Sequence, residues 1–310
     1  MGALAHAVVD WGTSSFRLWT LDRDGRVLGE QRSGQGLLTA AKEGFETVLE
    51  SHLAALDVPA EVPVMMCGMV GSRTGWTEAA YLDAPVRLER LATHATRVPD
   101  TRRPVRILPG IAQREGAHPD VMRGEETQLL ALAGERHSGL ACLPGTHSKW
   151  VELKGGAVLR FATFMTGELF QLLRTASVIA PAVEGGAAVD PGSAEFSEAV
   201  GEAFAAPELL SNQLFELRAG WLLAGRGASA TNARLSGLLI GLELAGARRR
   251  MGSLDGAVLV AAGPAAALYR RALAVAGVAD ITVRDAEASV REGLHAAAKL
   301  AFLEAQGACP

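Results

Sequence analysis

Val8-Val9-Asp10-Trp11-Gly12-Thr13-Ser14-Ser15-Phe16-Arg17-Leu18 reads as a strand, a tight Gly/Thr/Ser turn and a second strand, with one carboxylate at the bend. A turn of this kind suits a metal-bound nucleotide. Gly12 lets the backbone approach phosphate oxygens, Thr13 to Ser15 offer N–H and hydroxyl donors, and Asp10 is a hard oxygen ligand for Mg²⁺, directly or through water. The same residues also make a ligand-free hairpin turn, so the reading needs support from the rest of the chain.

Working outward, Ala7 to Thr20 gives two strands, Asp22-Arg23-Asp24-Gly25 supplies a reverse turn, and Arg26 to Gln31 gives a third strand. Thr39 to Leu56 carries apolar residues at helical spacing (Phe45, Val48, Leu49, Leu53, Leu56), and Val62 to Cys67 is an apolar strand closed by Gly68. The pattern recurs further on: Leu140 to Leu143, a turn at Pro144 to Ser148, Lys149 to Leu153, a Lys154-Gly155-Gly156 turn, and Ala157 to Phe164. Helical segments follow at Glu168 to Ala176, Leu209 to Leu223 and Ser236 to Arg249, then a strand Ala257 to Ala262 and a helix Ala265 to Ala276. A short strand Ile281 to Val283 and a helix Glu287 to Ala305 close the pattern. Two α/β halves, each opening on a β-meander with a polar first turn, are expected, with the boundary near Gly134 to Gly139 and a cleft between them. Pro181 to Gly192, rich in Gly, Ala, Val and Pro, reads as a loop or lid margin.

The 310 residues suffice for two ordinary domains, and an apolar fraction of 49% can fill a core in each. Lys plus Arg number 30 against 34 Asp plus Glu, a net charge of −4, which provides no global field for nucleic acid or anionic membrane. A small-molecule partner is expected. Cys67, Cys142 and Cys309 show no metal-ligand spacing and fit a reducing compartment, and the segment up to Val9 lacks the layout of a signal peptide, so the expected location is cytoplasmic. No apolar stretch reaches the ~18–20 residues of a membrane span.

Four further segments carry chemistry. Leu143-Pro144-Gly145-Thr146-His147-Ser148-Lys149 again places Gly and hydroxyls at a strand end, now with a cation able to meet phosphate. Leu259-Val260-Ala261-Ala262-Gly263-Pro264 ends a strand in Gly-Pro before a helix, which suits either the flat face of adenine or a tight connection. Met122-Arg123-Gly124-Glu125-Glu126-Thr127-Gln128 puts paired carboxylates at a helix start, where acids are favoured by the helix dipole and where a general base could sit. Gly68-Met69-Val70-Gly71-Ser72-Arg73-Thr74-Gly75-Trp76 is a Gly-rich loop with one Arg and one Trp, suited to a small anionic, hydroxylated ligand. Gly225-Arg226-Gly227-Ala228-Ser229-Ala230 matches G-x-G-x-x-A but follows a helical pattern, and Gly145 to Lys149 is too short for a Walker loop; neither carries a nucleotide reading.

Together these elements resemble the sugar kinase, heat-shock ATPase and actin superfamily, in which two ribonuclease-H-like domains clasp ATP. The first phosphate motif matches at Asp10, Gly12, Thr13 and Ser14, and Ala262-Gly263-Pro264 resembles the adenosine motif. Five blocks in order, the four containing Asp10, Arg73, Glu125 and His147 and a fifth at Phe164-Met165-Thr166-Gly167-Glu168-Leu169-Phe170, resemble the 2-dehydro-3-deoxygalactonokinase family over nearly the whole chain. The resemblance implies an α/β protein of two actin-like ATPase domains, 1–136 and 137–310. It implies ATP- and Mg²⁺-dependent phosphorylation of the terminal hydroxyl of a 3-deoxy-2-oxo sugar acid in galactonate breakdown.

Under that resemblance Asp10 holds the metal and serves catalysis, with Glu125 or Glu126 as base. Gly12, Thr13, Ser14, Arg17, Gly145, Thr146, His147, Ser148, Lys149 and Gly263 contact nucleotide, and Trp11, Ser72, Arg73, Trp76, Thr166 and Glu168 contact the sugar acid. Where many superfamily members carry an Asp at the second phosphate turn this chain has Leu143-Pro144, so no base or metal ligand carries over there. The Glu125-Glu126-Thr127-Gln128-Leu129 run instead resembles the Glu-Glu block of exopolyphosphatases, which makes a glutamate the replacement. Another sugar kinase of this fold, an exopolyphosphatase-like phosphohydrolase and a non-catalytic sugar-acid sensor are the alternatives. Epimer preference is not legible in the sequence, and oligomeric state, with a homodimer allowed, is left open.

Overall fold

The computed structural model describes residues 2–114, 118–134 and 137–303. Cys309 lies outside them, as do Ala305 at the end of the expected last helix and Arg136 at the expected boundary. Contacts divide the chain into one unit of Met1–Ser138, Leu153–Arg160 and Ala286–Pro310 and another of Gly139–Glu152 and Phe161–Asp285. These are not the two continuous spans 1–136 and 137–310, because the last helix belongs to the first unit.

The first unit opens with β1 (Leu4–Trp11), β2 (Phe16–Asp22) and β3 (Val27–Ser33), followed by helices α1 (Leu37–Glu43) and α2 (Phe45–Ala54) and strand β4 (Val64–Gly68). After these come β5 (Tyr81–Asp83), β6 (Val86–Arg87), α3 (Arg90–Thr93), β7 (Thr96–Arg97), β8 (Val105–Ile107), β9 (Gly110–Gln113), β10 (Asp120–Met122) and α4 (Glu125–Gly134). The main sheet has the order β3-β2-β1-β4-β8-β7, and a smaller one the order β10-β9-β5. The meander β1 to β3 is antiparallel, while β4 and β8 run parallel to β1. Strand β1 is buried on both faces, which is why Ala7, Val8, Val9 and Trp11 all read as apolar. The expected single helix over Thr39 to Leu56 is two, broken at Gly44, whose φ of 91° no helix continues through.

The second half of the chain repeats the plan with β11 (Gly139–Leu143), β12 (Ser148–Lys154) and β13 (Ala157–Phe164). Helices α5 (Thr166–Ala176), α6 (Ala180–Val183), α7 (Ala194–Ala205), α8 (Leu210–Ala224) and α9 (Ala228–Met251) follow, then β14 (Val258–Val260), α10 (Gly263–Val275) and β15 (Thr282–Arg284). Its strands lie in the order β13-β12-β11-β14-β15, with β14 parallel to β11 and β15 parallel to β14. This is the same order as β3-β2-β1-β4-β8 in the first unit, so both halves have the ribonuclease-H-like topology expected of the α/β class. Helix α9 starts eight residues before the expected Ser236, because Ala228 to Leu235 continues the helix while its polar residues bond to neighbouring backbone. The expected loop from Pro181 contains the end of α6, with Pro181 in the first turn where its missing N–H costs nothing.

The last helix, α11 (Ala286–Ala298), packs on α4 and along β1 and β4 of the first unit. His295 on α11 also hydrogen-bonds His6 on β1 at 3.0 Å. No helix among the described residues is long and apolar enough to cross a membrane.

Candidate active site

Strand register builds the candidate site of the first unit. Asp10 stands opposite Arg17 on β2 and opposite Cys67 on β4, which puts three side chains in one row across the sheet. The Arg17 guanidinium lies 3.8 Å from the Asp10 carboxylate and 3.9 Å from Glu287 on α11, and the Cys67 thiol is 3.8 Å from Asp10. Burial raises the Asp10 carboxyl above its ordinary value, with Glu287 and Glu125 adding to the rise and Arg17 and the Cys67 contact opposing it. A cation placed at Asp10 would therefore relieve an existing electrostatic cost.

The turn beyond Asp10 exposes Thr13 and Ser14 and closes with a Gly12 N–H donated to Ser15 O at 2.9 Å. Helix α1 grips it from behind, Leu37 N–H donating to Gly12 O at 3.0 Å. Gly36 makes that grip feasible, since a Cβ there would lie 2.4 Å from Thr13 O.

The second turn has an equivalent grip. The α5 residue Glu168 donates its N–H to Thr146 O at 3.0 Å, and a Cβ on Gly167 would sit 2.5 Å from Gly145 O. Gly145, Thr146 and His147 are exposed on this turn, with His147 bonded to the Glu168 carboxylate. In both units the turn between the first two strands is thus held by the helix that follows the third.

Several expected ligand contacts are otherwise engaged. Trp11 is fully buried against Phe16 and Phe45 with its indole N–H on Gln35 O at 2.9 Å, so it is core and offers nothing to a sugar acid. Ser148 is also fully buried, its hydroxyl 2.9 Å from Tyr269 Oη, and Lys149 is buried with Nζ donating to His147 O at 2.9 Å. These two support the second turn from within. Thr166 turns its hydroxyl onto Glu243, which also accepts from Trp150 Nε1 at 2.9 Å and Tyr269 Oη at 2.6 Å. Burial raises the Glu243 carboxyl while these donors oppose the rise. Glu243 and Tyr269 escaped sequence reading, although a single acid in the apolar run from Leu238 to Ala245 was a usable signal.

The glutamate pair separates on α4. Glu125 is half-buried and accepts from the Arg123 N–H at 3.1 Å, whereas Glu126 is fully buried and accepts from the Gly124 N–H with both oxygens, at 2.8 and 2.7 Å. Burial and the adjacent Glu125 charge push Glu126 up to about 8. Its folded value exceeds the ordinary 4.5, so its contribution to stability is complete below that value and is lost as pH rises through about 8. Glu126→Gln removes this titration. Urea unfolding should therefore show wild type losing stability relative to the variant between about pH 5 and about pH 9; a constant difference would mean the side chain is solvated in the native state.

Around the Gly-rich loop after β4, Trp76 stacks on Phe45 at 6.1 Å and meets Trp11 edge-on at 6.5 Å, half-buried. Ser72 is half-buried, while Arg73 is 89% exposed and lies 3.8 Å from Glu78. Arg123 lies over the Tyr81 ring at 4.3 Å and donates to Ala79 O at 2.7 Å.

Within the second unit, beside its turn, is a cavity of about 370 Å³. Its walls include Gly145, Phe170, Ala187, Asn232, Leu239 and Pro264. Gly263 opens α10 with φ 56°, and Pro264, in the first helical turn, lines the cavity. The cavity adjoins the second turn, and most of its lining is apolar.

The family model described as 2-keto-3-deoxy-galactonokinase matches residues 10–297. A Rhizobium meliloti (strain 1021) protein named "Probable 2-dehydro-3-deoxygalactonokinase DgoK1" is 51% identical over 296 residues, covering 95% of this chain and 96% of its own. The 2-dehydro-3-deoxygalactonokinase of Escherichia coli (strain K12) is 32% identical, covering 94% and 97%. A crystal structure of a candidate 2-dehydro-3-deoxygalactonokinase from Sinorhizobium meliloti superposes with a TM-score of 0.93 at 50% identity, over 96% of this chain and 99% of that one.

Proposed function

The chain belongs to the 2-keto-3-deoxy-galactonokinase family, and we propose that it transfers the γ-phosphoryl group of ATP to the terminal 6-hydroxyl of 2-dehydro-3-deoxy-D-galactonate. The observation that carries the reading is the pair of Gly/Thr/Ser turns, each held by a helix N-terminus, with an apolar cavity beside the second. A kinase of the galactonate breakdown route needs those parts: donors for phosphate oxygens and a slot for a nucleoside.

Asp10 fits Mg²⁺. Its donor is a hard carboxylate oxygen, partly exposed and raised by burial, and Mg²⁺ commonly takes one or two carboxylates together with water and substrate phosphates. Bound there, the ion would neutralise phosphate charge. Thr13 and Ser14 on the first turn and Gly145 and Thr146 on the second donate to phosphate oxygens, and Arg17 adds positive charge beside Asp10. Glu125 accepts the proton of the 6-hydroxyl, while Glu126, capped by Gly124, holds the start of α4 in place. Arg73 and Ser72 bind the sugar acid, with Trp76 as an apolar wall. The enzyme works in the cytoplasm, where its buried thiols Cys67 and Cys142 stay reduced.

The test is a coupled ADP-release screen across aldonic acids, 2-oxo-3-deoxyaldonic acids and neutral sugars. ADP formed only with 2-oxo-3-deoxyaldonic acids is expected. Phosphate release without an acceptor would indicate a phosphohydrolase, and sugar-acid binding without ATP consumption a sensor. For the sugar-acid side, Arg73→Ala should raise KM for the acid roughly 10–100-fold while sparing KM for ATP, because a charge-assisted pair to the carboxylate is lost. An unchanged acid KM with weakened ATP binding would move Arg73 to the nucleotide.

A further inference from the structure

Glu243, fully buried on α9, joins three segments that build the second turn. One carboxylate oxygen accepts from Trp150 Nε1 at 2.9 Å, which fixes the group in place. The other accepts from Thr166, the first residue of α5, and from Tyr269 Oη on α10 at 2.6 Å. Tyr269 has a single hydroxyl proton and directs it at Glu243, so its oxygen accepts from Ser148 Oγ, 2.9 Å away. Ser148 Oγ in turn faces the Gly145 N–H at 3.5 Å. Every donor along this path therefore points the same way, from the turn to the carboxylate. Thr166 provides a second link: it precedes Gly167 and Glu168, whose close approach and N–H grip Gly145 and Thr146. A buried carboxyl is a costly way to fill a core, since an apolar side chain of similar volume is often as stable there or more so. What the carboxyl adds is a fixed direction for each hydroxyl around it.

We infer that Glu243 is a positioning residue for phosphoryl transfer, setting the shape of the second turn through Tyr269 and Ser148 from one side and through Thr166 from the other. The inference rests on the reading of that turn as a phosphate site of ATP. Glutamine in place of Glu243 keeps the volume and still accepts from Trp150, but its amide nitrogen faces two hydroxyls that then have to accept. Tyr269 turns its proton to Ser148, and the Ser148 proton is driven toward the Gly145 N–H. The turn has to shift to part these two donors. Backbone N–H groups serve phosphate by their position, so a displacement of ~1 Å weakens their contact with it.

The experiment measures KM for ATP and for the sugar acid in the full-length enzyme. KM does not depend on how much of a preparation is folded, so a purely structural Glu243 would change the yield of active enzyme and leave both KM values alone. Glu243→Gln should raise KM for ATP about tenfold while KM for the sugar acid stays within about twofold. Tyr269→Phe keeps the ring in its packing and cuts the link between Ser148 and Glu243. It should raise KM for ATP by about three- to tenfold, and it decides the matter where the glutamine variant does not fold. Combined with Glu243→Gln it should add nothing, because both variants cut the same path. An unchanged KM for ATP in the single variants, or effects that multiply in the double one, would overturn the proposal. Thr146→Glu tests the underlying reading separately, by setting a carboxylate on the exposed turn against the polyphosphate. It should raise KM for ATP by about tenfold or more, and no effect would take phosphate away from this turn altogether. A rise in Thr146→Glu alone would keep the turn as a phosphate site and remove only Glu243.

Discussion

Asp10→Asn is expected to lower kcat by about 10²-fold or more without unfolding the protein, the scale seen when one preorganised electrostatic group is removed from a transition state. Asparagine keeps the shape of the side chain and can still meet the Cys67 thiol, so packing around the end of β1 is preserved. What disappears is the negative charge that faces Arg17 and that a bound metal ion would share. The raised carboxyl of Asp10 means that its ionised form costs folding energy, so the variant should be as stable as wild type or more stable at neutral pH. Loss of turnover with retained or increased resistance to urea is the expected pairing. Turnover near that of wild type in a folded variant would remove Asp10 from the mechanism.

Glu125→Gln is expected to lose about 10²–10⁴-fold in kcat while still binding ATP and the sugar acid, the usual range for removing a general base. Neighbouring residues on a helix diverge by about 100°, so only one of the pair can point outward from the start of α4. The register is decided by Glu126, which is fully buried and occupied by the Gly124 N–H, leaving Glu125 half-exposed. Glu125 also lies close enough to Asp10 to help raise its carboxyl. A larger loss in Glu126→Gln than in Glu125→Gln, measured as kcat at saturating substrates, would reverse the assignment.

Much of this could be read from residue order alone. Both meanders, the two Gly/Thr/Ser turns, the strand before Gly263 and most helices follow from periodicity and turn chemistry, which involve residues within a few positions of each other. Thr13, Ser14, Gly145 and Thr146 came out exposed on their turns because a two-strand turn places them there whatever lies beneath. Long-range contacts decided the rest. Trp11, one residue from Asp10, points into the core because alternate strand positions face opposite ways and Phe16 and Phe45 are on its side. Ser148 turned inward because Tyr269, 121 residues on, supplies its partner. Glu243 meets Trp150 from 93 positions away, and α11 joins the unit built mainly from the residues up to Ser138. The sequence by itself determined which turns and helices exist and which residue types they carry. Which member of each polar pair is solvated and which is buried was settled only by tertiary packing, because burial depends on neighbours that no local pattern specifies.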